Sequence, residues 1–215
     1  MSKVLQLATE RALVLAAHTD DEFGCAGAVL RLIQSGIRVQ YIAVSRCEES
    51  VPAGLPPNIL EEECRRCTAR LGLASDDVHV WHYPVRRFPE FRQAILEEFV
   101  RVSRSFVPEL VLLPSSDDTH QDHRTIYEEG FRAFKRSTLL GYELPQNLIS
   151  FSNSAFVTLS PEQLELKIAA LGEYRSQAFR DYASGEFIRS LAQVRGVQAG
   201  AQYAEAYEAI RLIIR

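Results

Sequence analysis

The sequence predicts an α/β fold: a Rossmann-like, mostly parallel sheet with helices on both faces and a ligand site at the carboxyl ends of its strands. Two observations carry that prediction. Short apolar, β-branched runs alternate with longer stretches whose apolar residues recur at helical spacing, the order expected of a parallel sheet covered on both sides. Two of the apolar runs end abruptly in polar clusters, at residues 18–22 and 117–123. In open α/β sheets, ligands bind at such strand tips, where the winding reverses.

The elements follow in chain order. Residues 1–10 read as a lead-in, and 12–17 (ALVLAA) as a buried strand. Residues 24–35 carry helical spacing, with Gly36 as the stop. Residues 38–45 (RVQYIAVS) are a second strand. Residues 46–57 hold three prolines and a glycine, so they form a loop; its place beyond a strand tip makes it a candidate site wall. A helix over 58–73 starts at Asn58 and carries Glu61, Glu62 and Glu63 in its first turn, where the helix dipole favours acids. A short strand at 78–82 and a turn at 84–88 lead into an amphipathic helix over 89–106. Next come a strand at 110–113, a helix over 122–136 and a strand at 138–142. The last third reads as a strand at 153–159, a helix over 161–181 capped by Ser160, and a final helix over 200–213. One domain over 1–215 accommodates all of this.

Composition excludes some partners. There are 24 basic and 28 acidic residues, scattered along the chain, so no basic stripe marks a nucleic-acid surface. No apolar run approaches the ~18 residues of a membrane span. The first residues lack the basic–apolar–small order of a signal peptide, and a cytoplasmic location is expected. The cysteines Cys25, Cys47, Cys64 and Cys67 are too few for a disulfide scaffold. Cys64 and Cys67 have metal-type spacing, but no second pair completes a four-ligand zinc site; they read as buried thiols on one helix face.

The clusters carry the chemistry. His18, Asp20, Asp21 and Glu22 crowd three like charges beside an imidazole, a run that is either a solvated turn or, if buried, a site with a cation among it. His120, Asp122 and His123 form the second cluster. Mixed histidine and carboxylate donors suit zinc, and three protein ligands leave a fourth position open for catalysis. The acids after the first strand, with no G-x-G-x-x-G, argue against a dinucleotide pyrophosphate. Candidate substrate contacts are Arg46 and Glu48 in the first long loop, Arg86 and Arg87 in the turn, and Tyr142 after a later strand. Asp117 and Asp118 either bind hydroxyls or cap the second cluster.

These residues resemble a known family. AHTDDE at 17–22 is similar to the AHPDDE signature of the PIG-L/LmbE-like zinc deacetylases, and HQDH at 120–123 to their HPDH signature. The resemblance extends to Gly24-Cys25-Ala26-Gly27, to Lys167…Ala170-Leu171…Tyr174…Ser176-Gln177, and to Arg195-Gly196…Gly200…Tyr203-Ala204-Glu205-Ala206-Tyr207. Thr19 and Gln121 stand where the family has proline, and the spacing from Glu22 to Gly24 is a residue shorter than in many members.

The resemblance implies that His18, Asp21 and His123 bind zinc, with ferrous iron as an alternative divalent ion. It implies Asp20 as general base and His120 as a cation that stabilises the oxyanion and protonates the leaving amine. Asp122 and Glu22 would support them from behind. The implied reaction is removal of an N-acetyl group from an N-acetylglucosamine-type sugar or conjugate. A zinc amidase acting on a non-sugar N-acyl substrate, and a metal- or sugar-binding module without turnover, are the alternatives. Members of the family often form homo-oligomers, and the apolar stretch 206–213, read as a helix, is one candidate interface.

Overall fold

A computed structural model describes residues 9–214; most of the expected lead-in lies outside them. Five strands, β1 (Arg11–Ala16), β2 (Arg38–Ala43), β3 (Val78–Val80), β4 (Leu110–Pro114) and β5 (Thr138–Tyr142), run parallel. They alternate with helices α1 (Ala26–Gln34), α2 (Ile59–Arg70), α3 (Phe88–Ser105) and α4 (Gln121–Ala133). The chain then adds β6 (Ala155–Leu159), α5 (Pro161–Leu171), α6 (Gly185–Ala199) and β7 (Tyr203–Arg211). Strand order across the sheet is β3-β2-β1-β4-β5-β7-β6, with β7 antiparallel to both β5 and β6.

The order reverses between β1 and β4. From β1 the sheet grows one way through β2 and β3; from β4 it grows the other way through β5. That is the switch point at which α/β sheets bind ligands, and both polar clusters lie just beyond it.

The central strand is buried on both faces, so it is apolar throughout. Ala12, Val14 and Ala16 pack into one core, and Leu13, Leu15 and Ala17 into the other, the two-residue alternation of a strand. The first core contains residues of α1, α2, α5 and α6; the second contains residues of α3 and α4.

Three expectations need correction. Residues 200–213 are not a helix: 203–211 form β7, which fills the slot between β5 and β6. Ala204 and Ala206 are buried small residues paired with β6. The proposed apolar interface helix is therefore a sheet element. The helix from Pro161 stops at Leu171, and a separate helix, α6, follows from Gly185, capped by the Ser184 side chain. The Ser160 capping box is present, with reciprocal bonds to Gln163.

Candidate metal centre

The site grows from the tips of β1 and β4. After Ala17 the chain tightens into a short turn over Asp21–Gly24 before α1 begins. The turn is held by Asp21, whose Oδ2 accepts the His18 backbone N–H at 2.8 Å. This leaves Oδ1 facing the cavity. After β4, the loop 115–120 leads into α4, and the His120 side chain caps that helix by accepting the Asp122 N–H at Nδ1, 3.2 Å.

Three donor atoms converge between the two tips. His18 Nδ1 lies 3.0 Å from His123 Nε2. Asp21 Oδ1 lies 3.7 Å from the first and 3.4 Å from the second. The outer nitrogens of both rings are already committed: His18 Nε2 donates to Asp122 Oδ2 at 3.1 Å, and His123 Nδ1 donates to Asp118 Oδ2 at 2.7 Å. In the neutral rings the inner nitrogens carry lone pairs that point at one another and at a carboxylate, an arrangement that either protons or a metal ion can satisfy. Tetrahedral zinc with ligands at about 2.0–2.1 Å needs donors about 3.3 Å apart, and this triangle fits that size. The donor set, two imidazoles and a carboxylate, is also zinc-like.

His120 stands one step further out. Its donor atom falls within 4.8 Å of those of His18 and His123, and its ring sits 4.9 Å from each of theirs. Its Nδ1 is occupied by the Asp122 N–H, so the neutral ring presents Nε2–H. Burial and the neighbouring His18 and His123 push its pKa down to about 4. The capping bond at Nδ1 favours the neutral ring over the histidinium that the resemblance implies at 120.

Electrostatics separate the other groups. Burial pulls the His18 pKa down, but the Asp21 charge and the bond to Asp122 outweigh it, and the net value rises to about 9. His123 likewise rises to about 10, with burial overcome by Asp21 and the Asp118 bond. Asp20, half-buried in the cavity wall, is pushed up by burial and then by Asp21, against a downward pull from His18 and Arg180. For Asp122, burial is outweighed by the His18 bond and charge, and its carboxyl is lowered.

The structure sorts the remaining candidates. Asp122 accepts the backbone N–H groups of Arg86 and Phe88 at 2.5 and 3.1 Å as well as the His18 ring. Arg86 pays a backbone cost for that contact, with φ of +68°, a region few non-glycine residues adopt. Its side chain lines the cavity. Arg87 does not; it is exposed and pairs with Glu90. Arg46 and Glu48 pair with each other and are not in the cavity wall, whereas Cys47 and Ser50 of the same loop are. Tyr142 is buried at 1% exposure, donates its hydroxyl to the Leu15 carbonyl and packs on Gly24, so it does not reach substrate space. A Cβ on Gly24 would sit 2.7 Å from that ring.

Glu22 is turned away from the donor triangle. It accepts hydroxyls from Tyr41 at 2.8 Å and Tyr174 at 2.5 Å, and burial raises its pKa to about 8. Tyr174 also donates to the Thr19 carbonyl. All four cysteines are buried free thiols.

Asp118 is the residue that the sequence left undecided. One oxygen accepts His123 Nδ1–H, the other the His120 backbone N–H at 2.9 Å. The signal was present: an aspartate two residues before a histidine favours a local carboxylate-to-backbone turn, and metal-binding histidines need an acceptor behind them. The late blocks also find their purpose. Glu205 accepts the N–H groups of Gly27 and Ala28 at 2.7 and 2.8 Å, and Lys167 pairs with it at 2.7 Å. A buried carboxylate thus anchors the start of α1, directly behind the first cluster.

Two histidines and a carboxylate converging at the switch point place the chain among α/β proteins with a candidate metal site at the strand tips. More specifically, the chain belongs to the PIG-L family, described as GlcNAc-PI de-N-acetylase, whose model matches residues 13–134. It is 27% identical over 183 residues to an Escherichia coli protein called uncharacterized deacetylase YaiS, covering 81% of this chain and 97% of the relative. The fold is shared with N,N'-diacetylchitobiose deacetylase from Pyrococcus horikoshii, with a TM-score of 0.79 and 20% identity over 96% of this chain and 86% of that one. It is also shared with GalB of Pseudomonas putida, the 4-carboxy-2-hydroxymuconate hydratase, with a TM-score of 0.77 and 20% identity over 96% and 98% of the two chains. One fold thus carries different reactions, and the site has to decide among them. Among the described residues, no helix is long and apolar enough to cross a membrane.

Proposed function

We propose that this protein is a zinc-dependent N-deacetylase that acts on an N-acetylglucosamine-type sugar or sugar conjugate. The observation that carries this reading is the triangle of lone pairs from His18, Asp21 and His123, with Asp20 and His120 facing the same cavity. The names of the relatives, GlcNAc-PI and diacetylchitobiose deacetylases, point to the same substrate class.

When bound, the metal supplies Lewis acidity and lowers the pKa of a coordinated water to about 7. The chain's own residues do the rest. Asp20 accepts the proton of the attacking water; its raised pKa lets it hold that proton and return it. His120 donates a hydrogen bond from Nε2–H to the acyl oxygen as negative charge develops there. A neutral imidazole is a suitable donor for an oxyanion, and such donors contribute ~10²–10³-fold to rate. Asp20 then delivers its proton to the departing nitrogen. Asp122 and Asp118 hold the two metal-binding rings in the tautomers that aim Nδ1 of His18 and Nε2 of His123 inward.

The test is release of acetate and free amine from N-acetylated sugars by zinc-loaded protein, compared with non-sugar N-acetyl amides. Turnover of the sugars alone supports the proposal. Turnover of the non-sugar amides in preference would move the assignment to a general amidase.

A further inference from the structure

We propose that the cleft at the amino ends of β4 and β5 binds a single-chain amphiphile with an anionic head group. This site is separate from the metal cavity and does not depend on the deacetylase function above.

The cleft lies between the carboxyl-terminal ends of α3 and α4, and its residues run directly into β4 and β5. It shares no lining residue with the metal cavity. His123 stands in the first turn of α4 and Ala133 at its last residue, so about 15 Å of helix separates the two sites. The volume of the cleft is about 730 Å³, within the ~300–1,000 Å³ typical of small-molecule sites.

Charge decides the head group. Arg104, Arg132, Lys135 and Arg136 line the cleft, and among the described residues Glu109 is the one acid with them. Glu109 is held by Arg11 at 2.9 Å, and Arg132 by Glu129 at 2.6 Å. Arg104 and Lys135 have no such partner among the described residues. A base in the last turn of a helix answers the helix dipole, and Arg104 does so for α3. Lys135 lies beyond the end of α4 and has no such role. The chain as a whole carries a net charge of -4, so four cations around one hollow run against its own balance and attract an anion.

The floor decides the body of the ligand. Val100, Val107, Pro108 and Ala133 are aliphatic. Phe134 is the only aromatic ring in the lining among the described residues; it is 2% exposed and packs against Phe99 at 6.1 Å. That leaves no ring face for a nucleobase or a sugar, and a saturated chain fits the aliphatic surface. Val107 directly follows the Phe106 cap of α3, with φ of +51° and 51% exposure. Glycine is the usual residue at that position, and a β-branched residue is strained there. Backbone strain clusters at ligand sites. An isopropyl group held half in water by a strained backbone offers an apolar contact to a ligand chain.

The experiment is calorimetric titration of the zinc-loaded protein with octyl phosphate and with octanol, both monomeric. Octyl phosphate should bind at one site per chain, about tenfold more tightly than octanol, and the difference should shrink as salt is raised. Arg104→Gln combined with Lys135→Gln should remove the difference; both side chains are exposed, so the fold is retained. Val107→Gly should weaken octyl phosphate about fivefold. Glycine adopts this φ freely, so that variant tests recognition and not folding. No binding of octyl phosphate, equal binding of octanol, or binding indifferent to both variants would overturn the proposal. Capture of the protein on phosphatidylglycerol vesicles without binding of the monomer would overturn it in favour of a membrane-facing surface.

Discussion

The metal cavity and the groove beside it, lined by Phe179, Tyr182 and Phe187, share walls but are built in opposite ways. In the cavity, each metal-facing donor atom belongs to a side chain pinned elsewhere. Asp122 and Asp118 hold the two rings, the His18 N–H holds Asp21, and two backbone N–H groups hold Asp122. Phe88 and Ile126 behind it are fully buried. In the groove, Phe179 and Asp181 are exposed, and the segment between α5 and α6 is made of short turns. Chemistry needs donors fixed within a fraction of an ångström. Surface turns carry no such requirement and are where chains vary most.

That contrast can be broken from the cavity side first. His123→Ala should lose both the metal and all measurable turnover, because one corner of the donor triangle disappears; metal analysis and acetate release check this together. Asp20→Asn should keep the metal and lower kcat by ~10²–10⁴-fold. His120→Ala should cost ~10²–10³-fold with metal content intact. Asp118→Asn should weaken zinc binding by ~10–100-fold, since the acceptor behind His123 loses its charge; competition with a chelator of known affinity measures the change. If Asp118→Asn bound zinc as the unsubstituted protein does, the inward aim of His123 would not depend on that carboxylate.

The smallest effects concern pH. Without metal, His18 and His123 hold protons up to about 9 and about 10. Their pKa values are raised on folding, so the stability they contribute is complete below the unfolded value of about 6.5. It fades as pH rises through about 9 to 10. Zinc competes with those protons, so zinc affinity should rise steadily from pH 6 to pH 8. Zinc should also raise Tm most at the alkaline end, which thermal melts with and without zinc can follow.

The parts of this molecule differ in how openly the sequence declares them. The five parallel strands are legible because strands buried on both faces are nearly all apolar, as ALVLA shows. The clustered histidines are legible because polar residues crowd at strand tips. Strand β7 is not, since YAEAYEAIR mixes residues with good helix propensity into an antiparallel slot between two strands; tertiary pairing overrides local preference there. Tyr142 misled because a polar tip after a strand can point to solvent or back to a carbonyl, and only packing against Gly24 decides. The capping role of His120 was likewise hidden, because it depends on a bond to Asp122 N–H two residues away.

The central claim is that His18, Asp21 and His123 together hold one catalytic divalent ion. Zinc titration of metal-free protein by calorimetry, run in parallel on Asp21→Ala, tests it most directly. The account predicts one tight site per chain with release of protons at pH 7, and loss of that site in Asp21→Ala. Tight binding that survives Asp21→Ala unchanged, or no binding by the unsubstituted chain, would contradict it.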